Sequence, residues 1–186
     1  MVRTILGGLL GGFALYIIGF IFWGTPLGAL AFHRADPQAG ANLQAAMAQA
    51  LNPTGTGVYI VPDPATALFG KGPVAQIFYN SGGFPVTDGS ALIGGFVLAL
   101  VVGVAIALAL RFTAADFGSR ARVTLLFSLA AVLWLHVGQA VFNHAPWGYI
   151  LYLALSDFVG LAAAGLIAAK LMEDRTVASP VADSVH

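Results

Sequence analysis

Residues 148–169 read GYILYLALSDFVGLAAAGLIAA, an apolar run interrupted by one carboxylate at Asp157. A membrane-spanning helix needs about 20 such residues. The run therefore predicts a span in which Asp157 lies near the middle. A charged side chain at that depth costs roughly 2.5–3.5 kcal/mol on insertion scales. We therefore expect Asp157 to face protein and to have a partner.

Three further apolar runs of similar length occupy residues 4–23, 90–110 and 123–142. Only 9% of the residues are charged and 59% are hydrophobic, whereas about 25% are charged in ordinary soluble domains. These features predict an all-α membrane protein, a four-transmembrane-helix bundle. The first run is about twice as long as the apolar core of a secretory signal, so we expect an uncleaved helix.

The spans divide the chain into seven segments. They are transmembrane helix 1 (1–24), an extracytoplasmic cap (25–89), transmembrane helix 2 (90–111), a cytoplasmic link (112–122), transmembrane helix 3 (123–144), transmembrane helix 4 (148–170) and a cytoplasmic tail (171–186). Six of the eight Lys and Arg residues lie on the side of the termini. The positive-inside rule then places both termini in the cytoplasm of a bacterium and the cap, residues 25–89, in the periplasm.

The cap sequence predicts a small αβ unit of one helix and two strands. Asp36-Pro37 can begin a helix, with the carboxylate as N-cap, and residues 58–61 and 74–79 are typical of strands. Both strands are apolar on both faces, and two short strands cannot bury themselves in that way. We expect them to dock either on the chain's own helices at the membrane surface or on another protein. The docking residues would be Val58, Tyr59, Ile60, Ile77, Phe78 and Tyr79.

Small residues recur every four positions along three of the spans, a spacing that lets helix backbones approach closely. They are Gly7, Gly8, Gly11 and Gly12 in the first, Gly95, Ala99, Gly103 and Ala107 in the second, and Gly160 and Ala164 in the fourth. We expect packing within the bundle; contact with partner helices is the alternative.

The third span carries a polar stripe of His136, Gln139 and Asn143. His136 lies about 12 Å below the outer end of its helix and Asp157 about 14 Å below the same side. A short connection makes the two helices antiparallel neighbours. We therefore expect a hydrogen bond or ion pair between His136 and Asp157, which Tyr16 of the first helix could join.

Three interpretations of this cluster remain open. The pair could fix the helix register, with Gln139 bonding a neighbouring helix. It could form a proton-responsive or ion-handling site, although no polar path continues inward from it. His136 could ligate a pigment or haem, although a second axial ligand on another helix is missing. We expect bound membrane lipid, no required cofactor and no metal site.

Catalytic and nucleotide-binding signatures are absent from the sequence. It contains no GxSxG, HExxH, P-loop or dinucleotide fingerprint. Ser156 points about 100° away from Asp157 on the same helix, which does not suit a catalytic relay. We therefore expect neither an enzyme nor a nucleic-acid partner. The aromatic residues Trp23, Trp147 and Tyr149 are expected to anchor the outer membrane interface.

The order of these features resembles that of small uncharacterised bacterial inner-membrane proteins. The resemblance rests on the GxxxG-rich first helix, the strand GVYIVP at 57–62, and the closing motifs PWGY at 146–149 and SDF at 156–158. It implies a four-helix inner-membrane protein and no particular activity. The layout is also similar to that of claudin-type proteins, whose Trp and Cys signature is missing here.

Together these observations predict an accessory, non-catalytic subunit of a larger bacterial inner-membrane complex, respiratory or photosynthetic. Its helices and its charge-poor cap would contact other membrane-protein subunits and lipids. The alternative is a small proton-coupled or ion-handling membrane protein that uses Asp157 and His136.

Overall fold

A computed structural model describes residues 1–113 and 116–173 of the chain. It is mostly helical, at 71%, and contains a small two-stranded sheet. Four helices in the described part are long and apolar enough to cross a membrane, which confirms the predicted number of long helices. They are Val2–Trp23 (α1), Gly89–Arg111 (α3), Phe117–Asn143 and Trp147–Leu171 (α6). The predicted tail, 171–186, lies outside the described residues beyond Glu173.

The third long helix begins at Phe117, six residues before the predicted span, so half of the predicted link 112–122 is helical. Its start is fixed by Asp116, whose Oδ1 accepts a hydrogen bond from the backbone N–H of Ser119 at 2.8 Å. This N-cap bond holds the pKa of Asp116 below its usual value. The helix continues as α4 (Phe117–Val132), a π-helical turn (Leu133–Val137) and α5 (Gly138–Asn143).

The glycines of α1 pack against two different helices. Gly8 and Gly12 contact the backbone of α3: a Cβ added to Gly8 would come within 2.6 Å of Val104 Cα. Gly7 and Gly11 contact the backbone of α6: a Cβ added to Gly11 would come within 3.2 Å of Ala164 Cα. The two overlapping GxxxG pairs therefore serve two interfaces, because adjacent residues of a helix point about 100° apart.

The partner residues on α3 and α6 are mostly buried. Ala99, Gly103 and Ala107 of α3, and Gly160 and Ala164 of α6, are enclosed. Gly95 is not close-packed: a Cβ added to it would have its nearest neighbour, Tyr16, at 3.9 Å. Three of the four predicted small residues of α3 are therefore buried in helix packing.

The buried core lies at one end of the helices, where α3, α4 and α6 meet. It consists of small and medium apolar side chains: Ala107, Leu110, Ala168, Ala169 and Met172. All the long helices place basic residues at this end, so we call it the basic end. Its described charged residues are Arg3, Arg111, Asp116, Arg120, Arg122, Lys170 and Glu173.

Residues 34–88 form a second compact unit. Its helix α2, Pro37–Leu51, begins as predicted, since the carboxylate of Asp36 accepts hydrogen bonds from the N–H groups of Gln38 and Ala39 at 2.9 and 3.3 Å. Strands Gly57–Val61 (β1) and Ala75–Tyr79 (β2) pair antiparallel, with Val58 opposite Phe78.

The predicted cap boundary at residue 25 differs from the observed division. Residues 25–33 belong to the unit formed by the long helices. They contain a 3₁₀ helix, Pro26–Ala31, whose N-cap is Thr25. Pro26 at the first position suits a helix start because it lacks the N–H that would be unsatisfied there.

Candidate functional site

The structure brings His136 and Asp157 together. His136 Nε2 lies 2.7 Å from Asp157 Oδ2, which is hydrogen-bond distance. His136 stands in the π-helical turn Leu133–Val137, and Asp157 lies in the middle of α6. Single π-helical turns inside α-helices frequently occur at functional sites. The pair is therefore the first candidate site of the molecule.

Asp157 has the expected partner in His136, and the described part of the chain covers its side chain only partly. The side chain of Asp157 is 44% exposed, whereas that of His136 is 15% exposed. Other faces of α6 are used for packing: Ala164 meets α1, and Gly165 meets Thr124 of α4. Asp157 faces the third long helix, and the imidazole of His136 covers only part of its carboxylate.

Within the described residues, the side chains of Gln139 and Asn143 bond each other and not a neighbouring helix. Asn143 Nδ2 donates to Gln139 Oε1 at 2.6 Å within the same helix, and both side chains are exposed. This differs from the interpretation in which Gln139 bonds a neighbouring helix. The exposed amides extend the polar surface from His136 toward the end of α5, which closes at His144 in the left-handed conformation.

Among the residues that the structure describes, Tyr16 makes no hydrogen bond to His136 or Asp157. Its ring packs against Phe96 of α3, with ring centroids 5.2 Å apart. Tyr16 follows Gly12 by four residues, and residues four apart share a helix face. Because Gly12 faces α3, Tyr16 does too.

The aromatic residues predicted as membrane anchors have unequal roles. Trp23 Nε1 donates to Ser156 Oγ at 2.9 Å, which ties the end of α1 to α6. The ring of Tyr149 contacts Phe32 at 5.6 Å. Trp147 is 54% exposed. The Trp23–Ser156 bond was missed from the sequence, where Ser156 was considered only as a nucleophile; its signal was a hydroxyl in an apolar helix.

The strands of the second unit have one inner and one outer face. Tyr59 OH lies 2.8 Å from Thr54 Oγ1, and Tyr79 OH donates to Asn52 Oδ1 at 2.5 Å, so both tyrosines hold the turn after α2. Ile77, paired with Tyr59, shares this face. The other face is strongly exposed and carries Val58 (58%), Ile60 (51%) and Phe78 (80%). Three of the six predicted docking residues therefore form an uncovered apolar face, which we call the outer strand face.

A second polar site was not predicted. Arg120 and Thr124 lie one turn apart on α4, and both are buried, at 7% and 5% exposure. Arg120 Nη1 donates to the carbonyl oxygen of Met172 at 2.9 Å. Arg120 Nε and Thr124 Oγ1 have no hydrogen-bond partner among the described residues. No signal in the sequence indicated this site, because Arg120 falls in the predicted link 112–122, where an arginine is expected to be exposed.

Other chemistries have little support in residues 1–113 and 116–173. No group of three or more His, Asp or Glu side chains in this part is placed to hold a metal ion. His136 has Asp157, not a second histidine, as its described partner. Comparisons with protein families, with characterised proteins and with solved structures returned no match. Function must therefore be inferred from the geometry alone.

Proposed function

We propose that the chain is a non-catalytic accessory subunit of a larger bacterial inner-membrane complex, respiratory or photosynthetic. The observation that carries the proposal is the 44% exposure of the Asp157 side chain in the middle of a helix long enough to span a membrane. Lipid acyl chains cannot hydrogen-bond the exposed part of this carboxylate. A partner helix that donates a hydrogen bond would satisfy it.

The energetic argument favours a protein neighbour over lipid. Ionisable side chains within spans usually face a bundle interior or a water-filled cavity, because exposure to hydrocarbon is costly. His136 covers one carboxylate oxygen at 2.7 Å. The exposed amides of Gln139 and Asn143 continue the polar strip along the helix. Hydrogen-bonding side chains of this kind promote helix association in membranes.

The outer strand face supports the same proposal. Phe78, Val58 and Ile60 are large apolar side chains that their own unit leaves uncovered. Contiguous exposed apolar patches on extramembrane domains often mark interaction sites. We infer that the second unit lies over the periplasmic surface of a partner subunit of the complex. Both termini of the chain would then be in the cytoplasm.

Gentle detergent extraction and native electrophoresis test the proposal, with a matched pair of variants. Phe78→Glu places a charge on the outer strand face, whereas Phe84→Glu changes an equally exposed phenylalanine outside the strands (80% and 77%). The natural chain and Phe84→Glu should migrate with a much larger assembly, and Phe78→Glu should be released. Free chain in all three samples would sink the proposal.

A second candidate function rests on the bond between His136 and Asp157. Such pairs occur in proton relays, and histidine changes charge near neutral pH. A proton-coupled or ion-handling protein would lose transport in Asp157→Asn while keeping its fold. Loss of thermal stability with unchanged ion flux in reconstituted vesicles would instead support a structural pair.

A further inference from the structure

An exposed loop, residues 81–87, lies between β2 and the start of α3 in the sequence, and we call it the Phe84 loop. Its two large apolar side chains are uncovered, since Phe84 is 77% exposed and Val86 is fully exposed. A Cβ added to Gly83 would meet nothing within 4 Å. The described part of the chain therefore leaves both the side chains and the backbone of this loop open.

Hydrogen bonds fix the base of the Phe84 loop. The backbone N–H of Ser81 donates to Thr56 Oγ1 at 3.2 Å, which ties the loop to the residue before β1. The N–H of Gly83 donates to the carbonyl oxygen of Asn80 at 3.4 Å, and Gly83 has a φ of +64°, which glycine adopts without steric cost. Residues 84–86 are therefore the exposed segment of a loop whose base is held in place.

The length of the chain limits how far this segment can lie from the candidate span α3, which begins at Gly89. An extended chain covers at most about 3.6 Å per residue, so Val86 lies within about 11 Å of Gly89, and Phe84 within about 18 Å. The 23 residues of α3 measure about 35 Å, slightly more than a hydrocarbon core of about 30 Å. When α3 crosses the bilayer, Gly89 is at the edge of the core and Val86 is within reach of the head groups.

The sequence around the Phe84 loop carries no charge that would oppose contact with lipid. Residues 72–87 include no Asp, Glu, Lys, Arg or His. A bilayer interface accepts aromatic and apolar side chains, and removing their surface from water is favourable. The hydroxyl groups of Ser81 and Thr87, on either side of the apolar residues, suit the hydrated head-group layer. The lack of charge and the short connection to α3 both favour lipid as the occupant of this surface.

We propose that Phe84 and Val86 insert into the bilayer interface at the start of α3, as a membrane contact of the chain beside its four long helices. The inference rests on the membrane-spanning helices of the proposed function and does not depend on a partner subunit. The ligand is the boundary between head groups and acyl chains. Because the loop is uncharged, zwitterionic and anionic phospholipids serve equally. The long helices hold the chain in the bilayer without this contact, so Phe84→Glu remains a control for assembly.

Electron paramagnetic resonance of spin-labelled cysteines, with the full chain in phosphatidylcholine vesicles, tests the contact. The natural chain has no cysteine, so each label reports one position. Labels are placed at Phe84→Cys in the loop, at Leu98→Cys in α3, and at Ala65→Cys, an exposed position whose N–H bonds the carboxylate of Asp63. Oxygen concentrates in the bilayer and a neutral nickel chelate in water, so the ratio of their collision rates with the label measures depth. Circular dichroism checks that each variant is folded.

The oxygen-to-nickel ratio at position 84 should be severalfold higher than at position 65 and lower than at position 98. Equal ratios at positions 84 and 65, with a high ratio at 98, would overturn the loop contact and leave the spans intact. A low ratio at 98 would instead overturn the membrane-spanning helices on which the inference rests.

A label at Gly82→Cys keeps Phe84 in place and tests its role. A side chain fits at Gly82, because the nearest atom to an added Cβ is Asn80 Oδ1 at 3.7 Å. Phe84→Asn should lower the ratio at position 82 severalfold. Leu68→Asn, which changes a 60% exposed side chain of the same unit, should leave it unchanged. The same ratio with and without Phe84→Asn would overturn the insertion of Phe84.

Phosphatidylcholine with a diazirine in its acyl chain gives a further readout on the unsubstituted chain. Its adducts should map to the long helices and to residues 84–86, and not to residues 63–66 around Asp63. Adducts on the helices without any on residues 84–86 would contradict the proposal even if a labelled variant failed to fold.

Discussion

Gly103 offers the sharpest test of how α1 and α3 pack. A Cβ added at Gly103 would lie 2.6 Å from Gly12 Cα, whereas ordinary contacts begin at 3.4 Å. The obstructing atoms belong to backbone, so no side chain can rotate away. Gly103→Ala must therefore push the two helices apart by roughly 0.8 Å or strain both.

The expected magnitude follows from two opposing effects. Replacing glycine by alanine in a helix gains up to about 1 kcal/mol from helix propensity. Overpacking a close interface typically costs about 1–3 kcal/mol. Gly94→Ala is the control within α3, because a Cβ there meets nothing within 4 Å. We expect Gly103→Ala to be less stable than Gly94→Ala by about 1–3 kcal/mol.

Reversible unfolding in mixed micelles, with rising dodecyl sulfate and helicity followed by circular dichroism, measures this difference. The comparison with Gly94→Ala removes the propensity effect, because both substitutions occur in the same helix. Equal stability of the two variants would refute the close approach of Gly103 to α1.

Two further predictions concern single hydrogen bonds. Trp23→Phe removes the bond to Ser156 Oγ and should lower the free energy of unfolding by about 0.5–1.5 kcal/mol. Trp147→Phe, which changes an exposed indole, should lower it far less. The same micelle titration measures both variants, and equal effects would contradict the role of Trp23 in holding α1 against α6. Because the folded pKa of Asp116 is lowered, its stabilisation of α4 is present above its usual pKa of 3.8 and is lost as pH falls through the folded value. The hydrogen-exchange protection factor of the Ser119 amide, relative to an unfolded peptide at the same pH, should fall over that interval. The same pH dependence in Asp116→Ala would contradict the cap.

Local chemistry explains which parts of the fold were predictable from the sequence. Long apolar runs have few alternatives to helix, since every backbone polar group can be satisfied within the segment. The Asp36 N-cap and the two strands were also identified from local signals. The pairing of His136 with Asp157 followed from equal depth on helices joined by a short connection.

The remaining features depend on tertiary contacts or on departures from ideal helix geometry. The π-helical turn at Leu133–Val137 changes the angle between His136 and Gln139, which a constant 100° per residue does not describe. Exposure of Asp157 depends on which faces of α6 its neighbours occupy, and periodicity alone does not specify this. The buried positions of Arg120 and Thr124 depend in the same way on how α4 meets α6.

Site-specific photocrosslinking in intact membranes tests most directly whether a partner protein covers the Asp157 side of the molecule. A benzophenone amino acid is placed at Leu135, next to His136, or at Leu98 of α3 as the control; the two leucines are 60% and 64% exposed. The accessory-subunit proposal predicts a discrete adduct with another protein from position 135 and only lipid adducts from position 98. Lipid adducts alone from both positions would contradict it.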